Sequence, residues 1–164
     1  MPAVSRLVAA VAAALLAMAA PALAHDQVPG AAHPATLAGA SGEAAATVDG
    51  FHAALRRGDT KAAAELMADD ALIFEEGGAE RTKAEYAAHH LSADAAFSQA
   101  VPSVVTRRTG HSDGRLAWVA SEGRTTGTYK GRALDRVTAE TMVLRRAGRA
   151  WKIVHVHWSS AARP

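Results

Sequence analysis

The sequence predicts an α+β fold with N-terminal helices packed on a curved, mostly antiparallel sheet. Three observations predict it. Apolar residues recur at the helical period from Glu43 onward. From Val101 the pattern becomes alternation broken by tight turns. The last stretch, Trp151 to Ser160, is a near-continuous apolar run, as in a strand covered on both sides. Helices followed by strands segregate to one face of a sheet.

The 164 residues hold one domain with room for leader segments. Arg6 precedes an apolar run from Leu7 to Ala20, and Pro21-Ala-Leu-Ala24 ends in a small-x-small pattern. Residues 1–24 are therefore expected to be a signal peptide, removed on export to the periplasm or medium. No membrane association is expected after cleavage, because the apolar run is short for a span. His25 to Gly42 lacks any period and reads as a disordered leader. Of 18 basic side chains one is Arg6, against 16 acidic ones, so the mature chain is nearly neutral. Its charges are mixed along the chain, which gives nucleic-acid binding no support. The absence of cysteine excludes disulfides, thiolate metal sites and cysteine nucleophiles.

The domain itself is expected over 43–160, with a tail at 161–164. Glu43 to Arg57 forms the first helix, with Ala44, Val48, Phe51 and Leu55 on its apolar stripe and Gly58 at its end. His52 sits on the flank of that stripe, a boundary position. Asp59 caps a second helix, Thr60 to Ala68. Ala71 to Glu75 is a short strand closed by Gly77-Gly78. Thr82-Lys-Ala-Glu85 is a capping box that opens a third helix carrying Tyr86, His89 and His90 on one face. Leu91 to Phe97 continues as a looser helical turn or loop. Four strands follow: Val101 to Thr109, Leu116 to Tyr129, Ala133 to Arg146 and the last run. Turns at Asp113-Gly114, Lys130-Gly131 and Ala147-Gly-Arg149 separate them.

Phe51-His-Ala-Ala-Leu-Arg-Arg-Gly-Asp59, Leu66-Met-Ala-Asp-Asp70, Gly127-Thr-Tyr-Lys-Gly131 and Glu140-Thr-Met-Val-Leu-Arg-Arg146 through Ser159 resemble the NTF2-like (SnoaL-like, DUF4440-type) superfamily. The C-terminal stretch is also similar to the association domain of calcium/calmodulin-dependent kinase II. The resemblance implies a cone-shaped fold whose concave sheet face and helices enclose a pocket, with dimers forming through the outer sheet face. It implies no metal or other cofactor. Hub-type members line the pocket with arginines; the matching positions here hold Glu122, Met142 and Trp158, so carboxylate binding is not carried over.

A three-residue turn at Ala147-Gly-Arg149 places Arg146 opposite Ala150. Glu140, Met142, Val154, Val156 and Trp158 then share one face, and His155, His157, Thr141 and Val143 the other. A two-residue turn would reverse this and set Glu140 opposite His157. On the first reading the pocket gathers Glu140 and Glu122 from the sheet and His89 or His90 from the third helix, as candidate acid-base groups. Tyr86, Trp158, Met142, Phe74 and Val156 are the candidate ligand-binding residues, with Glu75 at the mouth. His155, His157, Ile153 and Val143 are the candidate homodimer interface. Two histidines two apart on a strand could also hold a metal with a carboxylate, but spacing alone carries little weight, and no metal ligands are assigned. The scattered Arg107-Arg108, Arg132/Arg136 and Arg145-Arg146 read as a solvated edge. The function expected is binding of a small, mostly apolar molecule in the cone, with a lyase or isomerase as its catalytic form. The alternative is a non-catalytic dimerising scaffold.

Overall fold

A computed structural model describes residues 38–163. The expected signal peptide and most of the expected leader lie outside the described residues. The first helix, α1 (Gly39–Arg57), starts four residues before the predicted Glu43. Its stripe is as expected: Ala44, Val48, Phe51 and Leu55 are all buried. It ends at Gly58, whose left-handed φ of 72° lets its N–H reach back to the carbonyls of Ala54 and Leu55.

Asp59 accepts a hydrogen bond from the Ala62 N–H and starts α2 (Thr60–Glu65), which stops three residues short of the predicted end. The chain goes straight into β1 (Met67–Glu75), with β2 (Gly78–Glu80) folded back on it. Thr82 caps α3 (Lys83–His89) by accepting from the Glu85 N–H, the predicted box residue. The expected loose turn at Leu91 is a regular helix, α4 (Leu91–Ala100). The strands are β3 (Ser103–Ser112), β4 (Leu116–Tyr129), β5 (Arg132–Ala147) and β6 (Ala150–Ala162). The last therefore runs two residues past the predicted domain end.

The six strands form one open mixed sheet in the order β2-β1-β6-β5-β4-β3. The β3 to β6 meander is antiparallel, as predicted. The exception is β1, which lies parallel to β6. That pairing joins residues some eighty apart in sequence, which local patterning does not encode.

The β5–β6 turn corrects the expected register. Ala147 pairs with Ala150, so the turn has two residues, Gly148 and Arg149. Leu144 pairs with Ile153, yet Val143 pairs with His155. Val154 is thus an extra residue, a bulge. The short turn shifts parity once and the bulge shifts it back. Glu140, Met142, Val156 and Trp158 consequently share the inner face as predicted, although Glu140 lies opposite Trp158 rather than Val156. On the turn side of the bulge, Trp151 and Ile153 also point inward and are buried. Ile153 is therefore core, not interface as expected from straight alternation.

The inner sheet face is layered in rows across the strands. Ala117, Leu144, Ile153 and Met67 form one apolar row; Val119, Met142, Val156 and Ile73 form the next. Both pack against α1 and are nearly solvent-free. Burying each such side chain contributes about 1.5–3 kcal/mol. Beyond them the face turns polar, and there the cavity begins.

Candidate functional site

The first polar row runs across five strands: Arg108, Ser121, Glu140, Trp158 and Glu75 occupy paired positions on β3, β4, β5, β6 and β1. Behind it stand the hydroxyl-bearing positions Thr138 and Ser160, then Thr125 and Arg136. With Trp158 the one large aromatic side chain named on these rows, the helices do not close onto the sheet. A cavity of about 520 Å³ remains between α1, α4 and the sheet, with Leu55, Phe97, Tyr129, Leu134 and Trp158 among its apolar walls.

Glu140 is the buried carboxylate at the inner end of this cavity, 9 % exposed. His52 Nε2 lies 2.7 Å from its Oε2, and Trp158 Nε1 donates to the same oxygen at 2.8 Å. The other oxygen, Oε1, has no hydrogen-bond partner among the described residues, and no sealed side-chain atom there lacks one. Oε1 is therefore not sealed, and Glu140 borders the cavity. Burial pushes the Glu140 carboxyl up, but the hydrogen bond and charge of His52, the Trp158 indole and the nearby Arg108 charge outweigh it and hold the group below its ordinary value. Trp158 packs against two aromatic rings, with Phe51 stacked at 6.3 Å and Tyr86 tilted at 6.2 Å between centroids.

A second set of acids lies on the α4 side. The buried Tyr86 donates its hydroxyl to Asp94 Oδ2 at 2.7 Å. Burial raises the Asp94 carboxyl, and Tyr86 and His90 offset only part of that. Glu75 is raised too, first by burial and then by the Asp94 charge. Both line the cavity. One cavity thus holds a carboxylate biased to its charged form and two carboxyls biased toward the neutral one.

Of the predicted catalytic residues, only Glu140 is in this site. Glu122 is one residue out of phase: Ser121 is the residue opposite Glu140, so Glu122 faces outward, exposed, 3.9 Å from Arg107. His89 is exposed on α3. His90 pairs instead with the buried Glu80 of β2, whose hydrogen bond raises the imidazole above its ordinary value. Of the predicted ligand contacts, Trp158 lines the cavity. Tyr86 stands behind Asp94, while Met142 and Val156 are sealed in the apolar row. Phe74 is on the outer face, edge-on to His155 and His157 at 5.4 and 6.4 Å. Glu75, expected at the mouth, does line the cavity.

His52, Asp94 and Arg136 are cavity residues that pattern reasoning placed elsewhere or passed over. His52 follows Val48 by four and precedes Leu55 by three, so it lies within the buried stripe, and that spacing was the available signal. Two arginines assigned to a solvated edge are structural. Arg108, its side chain 11 % exposed, donates to Ser121 Oγ and to Asp49. Arg136 donates to Ser160 from inside the cavity. On the outer face, Val143 pairs with Trp118 on one side and His155 on the other, and Phe74 and Trp118 are 39 % and 41 % exposed. His155 Nδ1 is tied to the Leu72 carbonyl. Among the described residues no group of three or more potential ligands is placed to hold a metal ion, and no helix is long and apolar enough to cross a membrane.

Helices capping the concave face of an open sheet, around a cavity with an acid at its inner end, define an NTF2-like cone domain. The chain belongs to the SnoaL-like family: the SnoaL-like domain model matches residues 44–163. A candidate ketosteroid isomerase from Shewanella frigidimarina NCIMB 400 is 37 % identical, with a TM-score of 0.69, over 71 % of this chain and 94 % of that one. A candidate calcium/calmodulin-dependent kinase II association domain from Xanthomonas campestris is 24 % identical, with a TM-score of 0.66, over 84 % and 99 %. The CaMKII hub of S. rosetta is 18 % identical, with a TM-score of 0.61, over 76 % and 99 %. These last two share the fold. No curated protein matches the sequence.

Proposed function

We propose that this domain binds a small, mostly apolar molecule in its cone cavity and works on it by proton transfer at Glu140. The observation that carries the reading is the half-occupied carboxylate. One oxygen of Glu140 is held by His52 and Trp158, and the other is left without a protein partner and unsealed. A carboxylate oxygen that no protein group occupies is free to accept from a bound molecule. The apolar walls suit a carbon skeleton, and the held oxygen fixes the open one in direction. Glu140, kept ionised, is the base that accepts a proton from the ligand; His52 orients it. The Shewanella frigidimarina relative, a candidate ketosteroid isomerase, supports chemistry next to a carbonyl as the first class to test. The residues present need no cofactor for that step.

The outer face supports self-association. Trp118, Phe74, Val143, His155 and His157 form an aromatic and apolar surface on the side of the sheet away from the helices. A second copy of the chain is the proposed cover, and the hub-type neighbours are consistent with it. Residues 1–24 support export.

Native mass spectrometry of the exported protein tests the reading. The expected result is a dimer carrying a small bound mass. That mass should be lost in Ser98→Trp, which fills the cavity, and kept in Trp118→Glu, which alters only the outer face. A mass retained by Ser98→Trp, or lost only from Trp118→Glu, would place binding outside the cone.

A further inference from the structure

His52 and Glu140 line two cavities, not one. Behind the pair, between α1 and the β3–β4 edge, is a second space of about 110 Å³. His52, Ser103, Thr138 and Glu140 border both it and the main cavity. The pair stands where the two spaces meet. The second space is bounded by Asp49, Arg56 and Arg108 as well, so the two arginines balance the Asp49 and Glu140 carboxylates and no net charge selects an ion. A polar space of that size has room for about three waters, each with several partners. Its outer end reaches solvent at Asp49, whose side chain is 62 % exposed, while Arg108 beside it is 11 % exposed and pinned by Ser121 and Asp49. Asp49 and His52 are three apart on α1, one helical turn from solvent to the pair. His52 gives Nε2 to Glu140; Nδ1 has no partner among the described residues and is not sealed.

We propose that this second space is a water-filled passage through which the His52–Glu140 pair exchanges its proton with solvent, separately from the main cavity. The inference rests on the proton-transfer reading for its use, but not for its existence. A proton leaving the pair goes to a water of the passage, the pair loses one positive charge, and the proton passes to bulk water past Asp49. The reverse step restores it. A ligand that fills the main cavity covers that side of the pair, yet the pair stays in contact with solvent from behind.

Exchange of the His52 ring N–H with water, followed by NMR on ¹⁵N-labelled ligand-free protein, tests this. Ser98→Trp closes the main cavity and should leave the rate within about twofold of wild type. Adding Val105→Trp, which fills the passage from β3, should slow exchange by about tenfold or more. The Trp158 indole N–H signal reports that the site is intact. Should Val105→Trp disturb it, Arg56→Trp closes the passage from the exposed side of α1 and carries the same expectation. Ser98→Trp alone slowing exchange as much as the double variant would overturn the passage, as would a double variant that exchanges at the wild-type rate. No ligand enters this measurement, so its failure leaves cone binding standing, and a protein that binds nothing in the cone can still show the passage.

Discussion

His52 Nε2 and Trp158 Nε1 converge on a single oxygen of Glu140, at 2.7 and 2.8 Å. The first comes from α1 and the second from the far side of the bulge in β6, so the site ties the helical layer to the sheet. His52→Ala leaves Glu140 buried with one partner fewer, and is expected to cost about 1–3 kcal/mol at neutral pH. The sign with pH follows from the depressed Glu140 carboxyl. Its contribution is complete above the ordinary value of 4.5 and disappears as pH falls through the folded-state value. Urea unfolding of wild type and His52→Ala should therefore differ at pH 7 and converge toward pH 3. An equal gap at both would show that His52 contributes by packing alone.

The Tyr86–Asp94 contact makes an independent prediction. Burial raises Asp94, and the Tyr86 hydroxyl opposes that. Tyr86→Phe should raise the Asp94 carboxyl further and cost about 1 kcal/mol of stability. Carbon-13 NMR of the Asp94 side chain gives the titration directly. Because a raised carboxyl is harder to ionise in the folded state, its contribution falls as pH climbs from the ordinary 3.8 through the folded value. A midpoint unmoved by the substitution would separate the tyrosine from the acid.

Dimer formation through the outer face makes a separate prediction. Trp118→Glu puts a carboxylate into the apolar surface that a second copy would cover, and burying it unpaired opposes association. Sedimentation equilibrium should show a dimer for wild type and a monomer for Trp118→Glu. A dimeric Trp118→Glu would move the interface elsewhere.

Most of the architecture was legible because it is local. The stripe of α1, the Thr82–Glu85 cap and both ends of β4 follow from neighbours within a few residues. The inner face of β6 is legible only past the bulge, at Val156 and Trp158, because a two-residue turn and the bulge at Val154 cancel there; before it, Trp151 and Ile153 turn inward against straight alternation. What failed was long-range phase. Phe74 is inward or outward only through the parallel β1–β6 pairing, and Glu122 only through the β4–β5 register, where it is one step from Ser121. His52 reads as a boundary residue on the flank of the α1 stripe, yet its spacing from Val48 and Leu55 puts it inside the buried stripe.

The proposed proton transfer makes Glu140 the base at the inner end of the ligand cavity. Solvent deuterium incorporation beside the carbonyl of a panel of cyclic ketones, followed by mass spectrometry, tests it most directly. Wild type should speed exchange for at least one member, and Glu140→Gln, which keeps the shape and the Trp158 contact, should lose about 10²-fold or more of that rate. Trp118→Glu should retain it. Exchange that survives Glu140→Gln, or that wild type catalyses for no ketone in the panel, would contradict the account.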